Sequence, residues 1–364
     1  MSLKLLQIAD VHLDAPFRWL GTRGREQRLQ LKETFRRLID LALAERIDAL
    51  LVAGDLFDSN TPAQDTIDLV RAQLARLACP VFLLPGTHDC FDATSVYRRP
   101  ELALPNVRLF DAEHSAFAVD TLELAVQGQA NCSKTSPTSP LRGLNRRPGA
   151  RYNVALAHGS LAMPGTEDDF PLAPADFAAA GMDYVALGHW HSQRVCQGGR
   201  ACYSGPPELL AEGQEGCALL VELGEGAPRL EARDVARRRC AQLELAVDGL
   251  PSAAELAAAI RARGDPDLAQ GVTLVGLRPL DLVLDLEALA RELEGDFFAL
   301  RLEDRSHPAL APDEIAALPE GTVLGRFARL MGERLAAASE EAERRTAEQA
   351  LQIGLALLQG RRVL

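Results

Sequence analysis

Lysine is nearly missing from this sequence. Only Lys4, Lys32 and Lys134 stand among 39 basic residues, so arginine carries almost all the positive charge. The net charge of -12 excludes a general nucleic-acid coat, although a local arginine patch can still meet phosphates, which suit the planar guanidinium. Cysteine is present but unorganised. The seven residues are scattered from Cys79 to Cys240 without a CxxC pair, which fits reduced thiols rather than a disulfide framework. Aromatics make up 5%, and no apolar run reaches the length of a membrane span. The opening MSLKLLQIADVH turns polar too soon for a signal peptide, so a cytoplasmic protein with no membrane association is expected.

What is there describes a globular chain. At 364 residues, 47% hydrophobic and 25% charged, it can build a large core and a second, smaller one. LKLLQIA, DALLVAG and VFLLPG alternate with amphipathic LKETFRRLIDLALAERI and TPAQDTIDLVRAQLARLA. Thr61 and Pro62 predict the start of the second helix. The alternation predicts an α/β fold with buried, largely parallel strands. VRLFD and HSAFAVDTLELAVQG look antiparallel, and NCSKTSPTSPLRGLNRRPGA reads as a loop. Strands return in YNVALAHG, DYVALGHWH, ACYSG and GCALLVEL.

The character changes near Arg237. QLELAVDG, SAAELAAAIRARG, GVTLVGLRP, DLEALARELEG and FFALRLED predict a small β-α-β-α-β unit. The domains are therefore expected at 1–236 and 237–304, with residues 305–364 as a proline-marked linker and helical tail. Two tail stripes, Phe327, Leu330, Met331, Leu335 and Ala347, Leu351, Leu355, Leu358, suit a partner helix, the tail's own domain or a second copy.

The polar residues that end the apolar runs form one set. They are Asp10 and His12, Asp55 and Asp58, Thr87, His88 and Asp89, His158, and His189 and His191. Five of the seven histidines follow a buried strand, the edge where ligand crevices form in α/β sheets. Each element alone carries little; five in order carry the argument. Carboxylate and imidazole ligands suit Mn, Fe(II) or Zn. In extended chain the DxH and HxH pairs would each point to one side. Asp10, His12, Asp55 and His191 can then surround one cation, with Asp55 bridging to a second held by His158 and His189. Such a pair stabilises attacking and leaving oxygens at phosphorus. His88 is left to protonate the leaving oxygen, with Asp58, or second Asp89, as its orienting carboxylate.

DxH, GDxxD, GxHD, HG and GHxH in this order resemble the calcineurin-like metallophosphoesterase superfamily, over roughly residues 3 to 205. ADVHLDAPF, GDLFDSNTP, DYVALGHWH and CYSGPPE with GQEGCALLVEL are similar to the SbcD-like DNA repair exonucleases, including the YhaO-type bacterial members. The resemblance implies a β-sandwich flanked by helices, a smaller α+β capping domain and a helical C-terminal tail. It implies a manganese-dependent exonuclease at DNA ends in double-strand-break repair, a coiled-coil SbcC-type ATPase partner met through C-terminal helices, and often a homodimer. It also implies that Asp10, His12, Asp55, His158, His189 and His191 are ligands of two divalent ions, and that His88 is the catalytic histidine with Asp58 its partner. The family carries Asn where this chain has Thr87. A hydroxyl is a poorer neutral donor, so a weaker second cation is expected.

Two arginine clusters, at 142–151 and 233–239, are candidates for DNA phosphates, with Arg142, Arg146 and Arg147 the residues singled out. Solvated surface is the commoner use of such runs. Trp190 is expected to pack on the sheet edge rather than on a base. The rival functions are a phosphatase or small-nucleotide phosphodiesterase on the same site, and a non-catalytic protein that binds DNA ends or a partner.

Overall fold

The computed structural model describes residues 2–162, 169–214, 216–248, 250, 252–278 and 282–360. Glu215, Gly249 and Pro279, within stretches quoted above, lie outside these. The chain divides into two compact units, Met1–Arg239 and Cys240–Leu364.

The first unit runs β1 (Leu3–Ile8), α1 (Gly24–Glu45), β2 (Ala49–Ala53), α2 (Gln64–Leu74), β3 (Val81–Leu84), β4 (Val107–Leu109), β5 (Ala116–Val119), β6 (Leu124–Gly128) and β7 (Tyr152–His158). It continues with α3 (Pro174–Ala180), β8 (Tyr184–Gly188), β9 (Arg194–Cys196), β10 (Ala201–Tyr203), β11 (Ala218–Leu223) and β12 (Arg229–Arg233). Two six-stranded sheets result, ordered β12-β11-β1-β2-β3-β4 and β5-β6-β7-β8-β10-β9. Alternate residues explain the sandwich. Leu5, Leu51 and Leu84 from one sheet meet Val126, Leu156 and Ala186 from the other in a single core. The intervening residues are buried as well. Leu50 and Val52 are covered, as is the i, i+4, i+7, i+11 stripe Leu31, Phe35, Leu38, Ala42 of α1. Ala155, Ala157, Val185 and Leu187 pack with Phe177 and Ala180 of α3. The fold is the helix-flanked α/β sandwich that the apolar runs and the resemblance implied.

Three local expectations change. Within the passage expected to be antiparallel, β4 pairs parallel with β3, while β5 and β6 do pair antiparallel. The second helix begins at Gln64 instead of Pro62, with Ala63 rather than Thr61 at the N-cap position and its amide donating to the Asp14 carboxylate at 2.9 Å. Two of the 233–239 arginines, Arg233 and Arg238, are paired within the protein. Arg233 pairs with Glu45 and Glu231, while the buried Arg238 guanidinium meets Glu26 and Gln27. Glu208, itself buried, accepts from Thr34 Oγ1 (2.7 Å), Arg237 N (2.9 Å) and Arg238 N (2.9 Å).

The second unit holds β13 (Arg239–Ala246), α4 (Ala253–Arg261), β14 (Asp265–Val275), β15 (Leu277–Arg278), α5 (Leu286–Leu293), β16 (Phe297–Asp304) and β17 (His307–Pro308), then α6 (Pro312–Ala316), α7 (Val323–Ala337) and α8 (Glu341–Leu358). Its three-stranded sheet, β13-β14-β16, packs Val272 and Leu274 with Leu256, Ile260 and Leu293 of its helices. The segment expected as plain linker holds β17, paired with β15, and the short α6. The tail stripes fold on each other: Phe327, Met331 and Leu335 of α7 cluster with Leu351 and Leu355 of α8. Leu330 and Leu358 stay exposed. No helix among the described residues is long and apolar enough to cross a membrane.

Candidate metal centre

The C-terminal ends of β1, β2 and β3 in one sheet and of β7 and β8 in the other converge on a single cluster. The chain leaves its strands abruptly there. Asp10, His12 and Asp55 adopt φ of 54°, 49° and 52°, and His189 adopts 102°. These are left-handed values that a non-glycine residue keeps only when its surroundings enforce them. The DxH pair is thus turned rather than extended. Asp10 N donates to Gly54 O (3.1 Å) and His12 N to Asp55 O (3.0 Å), stitching the two strand ends together. Glycine is required beside them: a Cβ on Gly54 would lie 2.1 Å from His158 Nδ1, and one on Gly86 2.2 Å from Asp55 Oδ1.

Asp55 is the centre of the cluster. Its Oδ1 accepts from His88 N at 2.8 Å. Its Oδ2 lies 3.2 Å from His158 Nε2, 3.3 Å from Thr87 Oγ1 and 3.7 Å from His12 Nε2. Asp10 accepts from His189 N at 2.9 Å. Three triads place their donor atoms within 4.8 Å of one another: Asp10, His12 and His191; His12, Asp55 and His88; Asp10, Asp55 and His158.

Both buried imidazoles are oriented. His158 Nδ1 meets Ala53 O at 3.0 Å, leaving Nε2 for Asp55, with Thr87 Oγ1 3.5 Å away. His12 Nδ1 meets Asp58 Oδ1 at 3.2 Å, leaving Nε2 3.1 Å from His191 Nε2. An imidazole with one nitrogen tied down and the other facing carboxylates is the arrangement that metal-ligating histidines adopt. The donors fit hard or borderline divalent cations.

The electrostatics suit a cation. Burial pushes the Asp10 carboxyl up to about 7, against the pull of His158. Burial would neutralise His158, but Asp55 and Asp10 outweigh it and raise the imidazole to about 9. Asp55 is buried too, yet His158, His12 and His88 hold its carboxyl well below the usual range. His189 and His191 fall to about 4, through burial and then through the charge on His158 and His12 respectively. Both are neutral at pH 7 and need lose no proton to ligate.

The sequence-predicted residues do not all land as expected. Asp58 holds His88 chiefly through its main-chain carbonyl (3.1 Å from Nδ1), while its carboxylate Oδ1 lies 3.2 Å from His12 Nδ1 and 3.7 Å from His88 Nδ1 and so stands between the two rings. Asp89 is no alternative. It is buried and accepts from Phe57 N, Gly86 N and Tyr97 Oη. The His189 ring lies outside the three triads, edge-on to His158 at 5.2 Å. Arg146 is bonded to Asp183, and Arg147 N to Asn153, at the opening ends of β8 and β7. Those ends are about 17 Å along the strand from His158. Arg142, whose carbonyl accepts from Gln129, lies nearer the cluster level. Trp190 stacks on Tyr203 at 5.2 Å and packs on the second sheet. The Ala53 carbonyl that orients His158 left no trace in the sequence, since any residue could supply it.

A sandwich of two sheets that gathers Asp and His at shared strand ends defines a metallophosphoesterase. The chain belongs to the calcineurin-like phosphoesterase family, whose model matches residues 3–193, and the family uses divalent metal ions. Curated relatives include the uncharacterized metallophosphoesterase YhaO of Bacillus subtilis (strain 168), 29% identical over 53% of this chain and 50% of that protein. The DNA double-strand break repair protein Mre11 of Aeropyrum pernix is 32% identical over 66% of this chain and 63% of its own length. The D component of the SbcCD nuclease of Rhodobacter capsulatus is 28% identical over 89% of this chain and 94% of its own. Against the first of these the chain spans half the relative's length.

Proposed function

We propose that the protein is a cytoplasmic, manganese-dependent phosphodiesterase that hydrolyses DNA from its ends in double-strand-break repair. The observation that carries this reading is the pair of imidazoles, His12 and His158, whose Nδ1 atoms are occupied and whose Nε2 atoms face Asp55. In this reading Asp10, His12, Asp55 and His191 hold one cation, and Asp55, Thr87, His158 and His189 a second. Divalent cations bound there supply Lewis acidity and a water acidic enough to act as nucleophile.

The chain's own residues do the rest. Asp55, deprotonated across the working pH range, is shared between the positions. His88 is half exposed, with its Nδ1 on the Asp58 carbonyl. With Nδ1–H donating to that carbonyl, Nε2 carries a proton only in the imidazolium form, and it is this form that passes the Nε2 proton to the leaving oxygen and is left as the neutral ring. The second unit serves as the capping domain, and the α7–α8 tail meets a coiled-coil ATPase of the SbcC type. The names of the Mre11 and SbcCD relatives support the DNA assignment.

The test compares turnover of linear duplex DNA, a phosphodiester dye ester and a phosphomonoester with manganese, beside His88→Ala. DNA and diester hydrolysis should exceed monoester hydrolysis. The variant should lose roughly 10²- to 10⁴-fold in kcat with cation stoichiometry unchanged. Preference for the monoester would replace this reading with a phosphatase.

A further inference from the structure

The strand-end cluster accounts for one phosphate. A polynucleotide brings further phosphates beside it, and much of the positive charge on this acidic chain is already committed. Arg146 is on Asp183, Arg233 on Glu45 and Glu231, and Arg261 on Glu292 and Asp296. Arg98 is different.

Arg98 lies in the segment that follows the His88 loop, and that segment is fastened to the cluster's surroundings. Tyr97, buried, donates its hydroxyl to Asp89 Oδ2 (2.5 Å), the carboxylate beside His88. The Arg98 side chain is exposed but held: its Nε donates to Asp92 O (2.8 Å), and its guanidinium carbon sits 4.3 Å over the centre of the Phe91 ring. Phe91 is buried, with its amide on Asn131 O (2.7 Å), and Asn131 Nδ2 in turn bonds His158 O (3.2 Å). Two short routes thus tie this guanidinium to His88 and to His158. Its Nη atoms have no acceptor among the described residues, and the Asp92 carboxylate is engaged by Thr94 N and Oγ1. A guanidinium held by an aromatic face and one main-chain bond has lost its side-chain freedom in advance and keeps a free edge. That edge matches the two non-bridging oxygens of a phosphodiester.

We propose that Arg98 is the phosphate-contacting residue for the polynucleotide strand next to the scissile phosphate. The proposal rests on the nuclease reading. It moves the phosphate contact from the predicted Arg146 and Arg147, at the far end of the strands, to the Tyr97–Arg98 segment that is bonded to Asp89, the residue after His88. It also separates a polynucleotide from a small diester, which has no neighbouring phosphate to offer.

The experiment measures binding of a fluorescein-labelled DNA oligonucleotide in EDTA across a salt series, and manganese-dependent hydrolysis of that DNA and of bis(p-nitrophenyl) phosphate. Arg98→Ala should raise the DNA Kd and KM roughly tenfold, the worth of one charge-assisted contact, with a much smaller penalty on the ester. The slope of log K against log salt should become shallower by about 0.7–0.9. Arg98→Lys should keep that slope. Arg98→Gln, which retains the stem over Phe91, repeats the comparison if the alanine variant melts early. Equal losses on DNA and ester, unchanged DNA binding, or a lysine variant as shallow as alanine would each overturn the proposal. A wild type that turns over the ester but neither binds nor cuts DNA overturns the nuclease reading as well. A wild type that cuts DNA with no dependence on Arg98 overturns this proposal alone.

Discussion

The two units bury different things. Among the described residues, every buried carboxylate and imidazole belongs to the first unit: Asp10, His12, Asp55, Asp89, His158 and Glu208. The second unit buries leucine, isoleucine, valine, alanine and phenylalanine, with Gln270 its one buried polar side chain among those residues. Both are α/β constructions with apolar faces. A charged side chain taken out of water is costly unless it is paired or neutralised. Asp89 and Glu208 meet that condition with protein donors alone. Asp10, Asp55, His12 and His158 do so only in part, which marks their place as one built for an added cation. Among the described residues, the second unit's core is built almost wholly from apolar side chains.

The largest effect expected is at the shared carboxylate. Asp55→Ala should abolish tight binding of both cations and lower hydrolysis by about 10³-fold or more, measured by calorimetric stoichiometry and turnover. A variant that still binds two cations would remove the distinction between the units. The counterpart is Leu293→Ala, in the apolar core of the second unit. It should destabilise that unit by about 2–5 kcal/mol in denaturant unfolding while cation stoichiometry stays the same. Loss of cations in that variant would show that the two cores are not independent.

Smaller effects sharpen the cluster itself. Thr87 contacts Asp55 and His158 through a neutral hydroxyl. Thr87→Asn should tighten the weaker cation by roughly tenfold, read by manganese titration with electron paramagnetic resonance. Unchanged affinity would mean that the hydroxyl serves as well as an amide. The smallest effect is in pH. Asp10, raised to about 7, and His158, raised to about 9, both hold more protons folded than unfolded. Stability of the cation-free protein should therefore fall as pH rises from 6.5 to 9. The His158 contribution is full below 6.5 and lost through 9. Cations compete with those protons, so their affinity should rise over the same interval. A thermal midpoint of the cation-free protein that climbs from pH 6.5 to 9 would contradict the assigned protonation of His158.

Much of this was legible in the amino-acid order. Strand ends are short-range features, and each polar pair sits just behind an apolar run, so Asp10, His12, Asp55, Thr87, His88, His158 and His191 could be assigned to one edge. Pairings within the edge could not. That the Asp58 carboxylate stands between His12 and His88, nearer His12, depends on where the β2 loop meets the two rings, and that loop is stitched to the β1 end by main-chain bonds common to all residues. The 142–151 arginines were candidates for DNA phosphates by their density. Arg146 and Arg147 are bonded at the opening ends of β8 and β7, whereas His158, His189 and His191 lie at or just past the closing ends of those strands.

By itself the sequence determined the composition of the site and the alternation that makes a sandwich. Side-chain chemistry and strand periodicity are local properties, written residue by residue. Only the tertiary structure decided which nitrogen of each imidazole faces the carboxylates, which arginine is seated on the Phe91 ring, and which of two apolar cores encloses charge. Those outcomes arise from contacts between segments far apart in the chain, where hydrogen-bond geometry and desolvation select one arrangement among many that the sequence permits.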